Sequence, residues 1–394
     1  MSRTRRVRSG ALALAVGAAV WLPLLHLFFT LDLPEFHRAH GLPPRARQLA
    51  ARHIRLWTDE ALRAEETARM RLRNAEWDFM GRSFLVWSLA NMALRDPDLR
   101  PQVLPVMDRV IEETLRVEQE SGFQHFLMPY GRVAPFVVAP ARSLFVDGEI
   151  ALMLGMRRIV QEKPEYAPLL AARVDLMVER MKRSPVLSAE SYPDECWTFC
   201  NTVALAAIRI ADFLDGTDHS DFLAAWVSAA REQLVDPTTG LLVATYTPGG
   251  HRLEGPEGTS IWMAAHCLQL VDQEFAEDQY RRARRELGRI ALGFGYAREW
   301  PRSWVGPMDV DSGPAVPLLG LSAAASSMAL IGAGAFGDTD YLSALHASLQ
   351  FAAFPSTEDG ALKYCASNQV GDAALLYSTV LGPVWDVVRG GGRP

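Results

Sequence analysis

Cysteine is scarce in this chain: four residues among 394, at Cys196, Cys200, Cys267 and Cys365. That is too few for a disulfide scaffold, and Cys196 and Cys200 have no second Cys/His pair at zinc spacing. Basic charge is not in surplus either. With 40 Lys and Arg against 46 Asp and Glu the formal charge is −6, so nothing offsets a phosphate backbone and no nucleic-acid partner is expected. The phosphate-cradling Walker sequence is missing, as are G-x-S-x-G and H-E-x-x-H, which removes common nucleotide, serine-hydrolase and zinc-protease readings. Strand-like alternation is short and confined to stretches such as 240–246. What the chain does have is apolar material, 49% of its residues, ample for one large core or two modest ones.

Residues 11–30 carry no charge, and the next acid is Asp32. At about 1.5 Å of rise per residue this run is long enough to cross the hydrocarbon of a bilayer. Arg3, Arg5, Arg6 and Arg8 precede it, and Asp32 and Glu35 follow. The positive-inside rule therefore puts residues 1–10 in the cytosol and everything after the span on the extracytoplasmic side. A cleavable signal peptide is the rival reading. No small-x-small site follows Phe28-Phe29, so an uncleaved single-pass anchor over 11–31 is preferred. A second uncharged run, 312–337, is dominated by Ala, Gly and Ser and is expected to be a helix buried on all sides of a soluble core.

Beyond residue 32 the apolar spacing is helical, at 84–94, 104–115, 150–159, 171–181, 203–214, 222–234, 261–270, 280–292, 318–331 and 341–351. Acidic connectors recur between these segments. Their anchors at Asp96, Pro164, Thr217, Gln273 and Asp338 are separated by 68, 53, 56 and 65 residues, a supersecondary repeat. Asp and Thr at such points suit helix N-caps. Each unit pairs an apolar helix with one richer in Arg and Glu, as expected of an inner helix walled by neighbours and an outer one facing water. About six such hairpins predict an all-α fold, an (α/α)6 barrel preceded by one N-terminal transmembrane helix. An open solenoid is the alternative; irregular, chemically rich long connectors argue against it. The domain plan is a lead-in over 32–73, a catalytic barrel over 74–388 and a tail over 389–394.

In such a barrel the long connectors gather at one end, and they hold the polar and aromatic residues. Trp77 and Asp78, Tyr192, Asp194, Trp197 and Cys200, Tyr246, Thr259, and Asp309 with Asp311 all fall there. Each acid could simply cap a helix N-terminus. Together on one rim they have the composition of a pocket. Cys200, opening an inner helix, would have its thiolate favoured by the helix N-terminus if it points inward; a small buried hydrophobe is the plainer reading. Glu149, followed by Ile-Ala-Leu-Met-Leu, would have its charged form disfavoured, as a general acid requires.

Residues 191–250 resemble the corresponding part of the linalool dehydratase/isomerase family, through Pro193-Asp194, Cys200-Asn201 opening a helix, Gly216-Thr217-Asp218, Asp236-Pro237 and Tyr246. Weaker similarity runs over about 74–380, including Arg95-Asp96-Pro97 and the loop at 309–313. The resemblance implies an (α/α)6 barrel in a ring-like homo-oligomer, with sites near subunit contacts. It also implies cofactor-free acid/base chemistry in which an allylic hydroxyl of an acyclic terpene alcohol is protonated and expelled. Cys200 matches one of the family's two active-site cysteines, and Ser191 stands at the other. Tyr192 replaces an acid, Glu149 takes the place of a histidine, and Thr259 stands where a site tyrosine is expected. The family's acidic, tyrosine-bearing segment ahead of the first inner helix, donated by a neighbouring subunit, has no counterpart: residues 58–73 contain no Tyr.

The expected function is a membrane-tethered lyase or isomerase acting on a small hydrophobic, isoprenoid-type alcohol without cofactor or metal. Glu149 or Asp194 would protonate the leaving hydroxyl, Cys200 or another acid would accept a proton, and Tyr246 and Trp197 would line the pocket. The alternatives are a carbohydrate-active barrel using two opposed carboxylates, favoured by an open cleft with exposed Trp, and a non-catalytic scaffold.

Overall fold

The computed structural model describes residues 3–391 apart from 307, 309–312, 314, 317 and 318. In chain order its α-helices are α1 (Arg3–Leu24), α2 (Pro44–Thr58), α3 (Glu60–Arg71), α4 (Ala75–Arg95), α5 (Arg100–Ser121), α6 (Leu144–Val160), α7 (Ala167–Met181) and α8 (Thr198–Asp215). There follow α9 (Ser220–Gln233), α10 (Gly258–Leu268), α11 (Gln273–Glu286), α12 (Ala323–Ala335), α13 (Thr339–Ala352), α14 (Gln369–Val380) and α15 (Pro383–Gly390).

Six of these form a closed inner ring, each packing on the next: α4, α6, α8, α10, α12, α14 and back to α4. The composition of the inner helices explains their position. All residues of α6 are buried, and a helix apolar on every side must be walled on every side. The outer helices bury one face only, as in α11, where Phe275, Ala276, Gln279, Tyr280 and Ala283 face inward and the arginines face out. α5 packs on α4 and α6, α7 on α6 and α8, α11 on α10, and α13 on α12. A further outer position is filled by α2, which packs on α14, so the barrel wall draws on residues ahead of position 74. The uncharged run supplies α12, but not as a helix buried on all sides: Ala325, Met328, Ala329, Ile331 and Gly332 are buried, while Ala323 is exposed and Ala324, Ser326 and Ser327 are half-buried. Within it Gly332, Gly334 and Gly337 spell G-x-G-x-x-G at the helix C-terminus. A dinucleotide fingerprint needs those glycines after a strand and before a helix.

Capping follows the sequence in part. Asp272 and Asp338 accept hydrogen bonds from Phe275 and Tyr341 amides at 2.8 and 3.1 Å. Asp96 does not cap; it pairs with Arg47 at 2.6 Å. The expected helix over 280–292 stops at Glu286, and the rest turns into a hairpin of β3 with β4, for which the chain's earlier and later strands must be named. These are β1 (Cys196–Trp197), β2 (Thr245–Tyr246), β3 (Gly288–Ala291), β4 (Phe294–Arg298), β5 (Ala315–Val316), β6 (Leu321–Ser322), β7 (Pro355–Glu358) and β8 (Ala361–Tyr364). Leu292 and Gly293, with φ of 51° and 82°, join β3 to β4 in the two-residue loop that favours a hairpin over continued helix. β3, β4, β6 and β5 form one antiparallel sheet, and Leu321-Ser322 pair within it, so α12 starts later than 318. Gly295 lets β4 lie against α13, since a Cβ there would sit 2.6 Å from the Leu345 amide nitrogen.

The inner helices all start at the connector end. The other end is closed by α15: Trp385 stacks on His266 with centroids 4.5 Å apart and donates to the His266 carbonyl at 3.0 Å. The Val384 amide binds Asn91 Oδ1 at 3.1 Å.

Candidate active site

The connector end opens into a cavity of about 660 Å³. Most of its wall is carbon: Met80 and Phe84 of α4, Phe145 of α6, Phe199 of α8, Met328 and Leu330 of α12, and Leu345 and Leu349 of α13. Polar groups gather where the first turns of the inner helices meet. Asn74 caps α4 through the Glu76 amide (2.8 Å) and so sets Glu76 and Trp77 on the first turn, where both line the cavity. Cys200 lies in the first turn of α8, below Tyr192 and Trp197, and Glu257 and Thr259 open α10; all line the cavity.

The Tyr192 hydroxyl donates to Glu76 in a short hydrogen bond and accepts from the Met128 amide at 2.8 Å. Its ring stacks on Tyr130 with centroids 4.4 Å apart. Burial raises its pKa and the Glu76 charge adds to that, so the phenol keeps its proton. Glu149, in the second turn of α6, is 1% exposed and stands behind the cavity wall. Neither of its oxygens makes a hydrogen bond of good geometry, the Ser83 hydroxyl being given to the Phe79 carbonyl at 3.2 Å. Burial pushes the Glu149 carboxyl up to about 8; the Ser83 hydroxyl nearby opposes and the Glu76 charge adds. The group is therefore an uncharged acid at neutral pH.

Cys200 corrects one expectation. Burial pushes its thiol well up, with Ser191 opposing and the charges of Glu149 and Glu76 adding. Desolvation outweighs the helix N-terminus, and the sulfur is a protonated thiol, not a thiolate. Ser191 is buried off the wall, its carbonyl accepting from Ser143 Oγ at 2.7 Å.

The other candidates divide. Trp77, Trp197 and Thr259 are on the wall, Thr259 donating to Glu299 Oε1 at 2.6 Å. Asp194 is not: it is exposed, in a left-handed turn at φ 60°, with its amide on Glu190 Oε1 at 2.8 Å. Tyr246, in β2, is fully buried, its hydroxyl 2.9 Å from Ser188 Oγ, and does not reach the cavity. Asp78 turns away from the cavity to pair with Arg82 (3.0 Å) and Arg71 (3.6 Å). Asp309 and Asp311 lie outside the described residues. Glu76 and Glu257 are cavity groups that the candidates left out; the signal for Glu76 was Asn74, a strong N-cap residue two positions earlier.

Comparison with known proteins settles the lineage. The family model described as linalool dehydratase/isomerase matches residues 170–370, just over half of the chain. The chain belongs to the linalool dehydratase/isomerase family. Among solved structures it is similar to an unsaturated glucuronyl hydrolase from Bacillus sp. GL1, responsible for the degradation of glycosaminoglycan. The identity is 13%, covering 81% of this chain and 88% of that one, with a TM-score of 0.50. A GH76 α-mannanase of Bacteroides thetaiotaomicron is similar at 10% identity over 79% and 87% of the two chains, with a TM-score of 0.49. At 13% identity the hydrolase likeness concerns the fold alone, and it agrees with the closed ring of six inner helices. The chain's lead-in segment packs on its own barrel, α2 on α14 and α3 on α4.

Proposed function

We propose that this family member is a membrane-tethered, cofactor-free lyase or isomerase of a hydrophobic, isoprenoid-type alcohol. The observation that carries the reading is the make-up of the cavity: a carbon wall with its proton-bearing groups, Cys200 and Tyr192, gathered on one side around Glu76 and Glu149 held uncharged behind them.

Glu149 supplies a proton to the substrate hydroxyl by way of the Cys200 thiol. The C–O bond breaks, water leaves and an allylic cation forms. The faces of Trp77, Phe84 and Trp197, all on the wall, attract that charge. The Glu76 carboxylate then takes a proton from the carbon beside the cation, giving an alkene, and the return of that proton to Glu149 after product leaves closes the cycle. Water returning to the far allylic carbon and losing its proton to the same carboxylate gives the rearranged alcohol instead. A sugar substrate fits this wall poorly, because each buried hydroxyl would lose its water without a partner. The helix Arg8–Phe28 is long and apolar enough to cross a membrane; we propose that it is a retained anchor with its N-terminus in the cytosol.

The test is to incubate the purified full chain in detergent micelles with geraniol, linalool and longer isoprenoid alcohols, and to analyse products by gas chromatography. A new alkene or allylic isomer is expected, lost in Glu149→Gln and in Glu76→Gln. Folded protein that turns over none of these alcohols overturns the proposal.

A further inference from the structure

The end of the N-terminal span does not hang free of the barrel. The apolar stretch ends at Phe28, and the residues there sit against the β3–β4 hairpin and α13. His26 meets Phe294 edge-on at 6.2 Å, Phe29 meets Phe351 at 5.0 Å, and Phe294 and Phe351 are 5.2 Å apart. The fit is close: a Cβ on Gly293 would fall 2.1 Å from the His26 ring. Around this contact the barrel exposes large apolar side chains. Ile290 and Leu292 on the hairpin are 45% and 54% exposed, and Phe351 and Phe354 at the end of α13 are 46% and 66% exposed. A contiguous apolar patch of this kind marks an interaction site.

Two further facts choose the partner. Positive charge lies along the same hairpin: Arg289 on β3, Arg298 at the end of β4 and Arg302 just beyond, with Arg298 near enough to the other two to feel their charge. Apolar side chains beside arginines suit the interface of an anionic bilayer. The patch also adjoins the last turn of the span, so it lies where the hydrocarbon gives way to headgroups and leaves no depth for a protein to dock. The cavity reaches the same place. Leu345, Leu349 and Ala352 of α13 and Gly295 of β4 line it, and Ala352 is exposed beside Phe351.

We infer that the face formed by the β3–β4 hairpin and the end of α13 rests on the lipid bilayer, and that the cavity opens there, taking lipophilic substrate sideways from the membrane. The inference rests on the proposed anchor, and the test separates the two. Single cysteines at Leu292, Phe354, Leu14 in the span and Leu169 on α7, across the ring from α13, would be placed in a Cys365→Ser background. Cys365 is the exposed native cysteine. Each full-length variant would carry bimane and be reconstituted in nanodiscs of mixed zwitterionic and anionic lipid containing doxyl-labelled chains.

Quenching at Leu292 and Phe354 comparable to that at Leu14, with Leu169 unquenched, is the expected result. Quenching at Leu14 but not at Leu292 and Phe354 overturns the docked face and leaves the anchor standing. No quenching at any of the four overturns both. A Leu292→Asp/Phe354→Asp variant gives a second readout: slower turnover of nanodisc-borne substrate, with turnover in detergent micelles unchanged. Equal loss in both media also overturns the inference.

Discussion

Replacing Glu149 by glutamine would change how stability depends on pH. Below the ordinary carboxyl value of 4.5 Glu149 is protonated whether the chain is folded or not, and it adds no pH dependence. Above that value the unfolded chain loses the proton, while burial keeps it on the folded protein until about 8. Folded stability therefore falls as pH rises through this window, and the loss is complete once the folded group ionises. At about 1.4 kcal/mol for each pH unit, the interval corresponds to roughly 5 kcal/mol. A glutamine amide in its place has no proton to lose, so the Glu149→Gln variant escapes the fall. The assay is thermal unfolding of both proteins in the same detergent from about pH 5 to about pH 9, with the difference in Tm plotted against pH. About 4 kcal/mol of this falls between pH 5 and pH 8, so at about 2 °C per kcal/mol for a chain of this size the variant should gain roughly 8 °C on the parent across the range. Asp372, also raised by burial, to about 6, acts in the same direction in both proteins and cancels. Parallel Tm curves would refute the claim that Glu149 is held uncharged by its surroundings.

Three further outcomes are expected. Iodoacetamide at about pH 7.5 should alkylate Cys365 rapidly and leave Cys196, Cys200 and Cys267 intact, because those three are buried and burial raises each thiol; peptide mass spectrometry of native and denatured samples reads this. Asp147→Asn should destabilise the fold by about 1–3 kcal/mol, since the partly buried Arg142 and Arg173 each lose a charge-assisted hydrogen bond while keeping Glu118. Asp147 is fully buried between Arg142 and Arg173, and urea unfolding followed by circular dichroism measures the change. Trp385→Ala should cost about 3–5 kcal/mol through the lost side chain and the space it leaves, visible as a lower Tm, because Trp385 fills the closed end of the ring at 1% exposure.

The ring was legible because its signal is long and repeated. Six apolar helices alternating with one-faced ones leave few other ways to bury the apolar faces, and acidic punctuation such as Asp272 and Asp338 marks helix starts by local hydrogen bonding alone. Whether a connector residue faces the cavity depends on turn geometry that composition does not encode. Asp194 and Cys200 are six residues apart, yet a left-handed turn leaves the first in solvent and the helix start puts the second on the wall. Tyr246 looked like a lining residue and is instead a strut held by Ser188. The β3–β4 hairpin was hidden because residues 280–292 carry helical spacing, while the deciding information sits in two positive-φ residues, Leu292 and Gly293. Glu149 was readable for the opposite reason: a carboxyl group followed directly by Ile-Ala-Leu-Met-Leu is buried with those neighbours wherever that helix packs.

The plug formed by α15 bears on traffic. With Trp385 and His266 stoppering the far side of the ring, the chamber is a cul-de-sac. On the proposed function, a departing hydrocarbon would have to leave on the side away from α15, where incoming alcohol arrives. An oily product that lingers there would then compete directly with the next substrate, and turnover would be governed by how readily that product is drawn off.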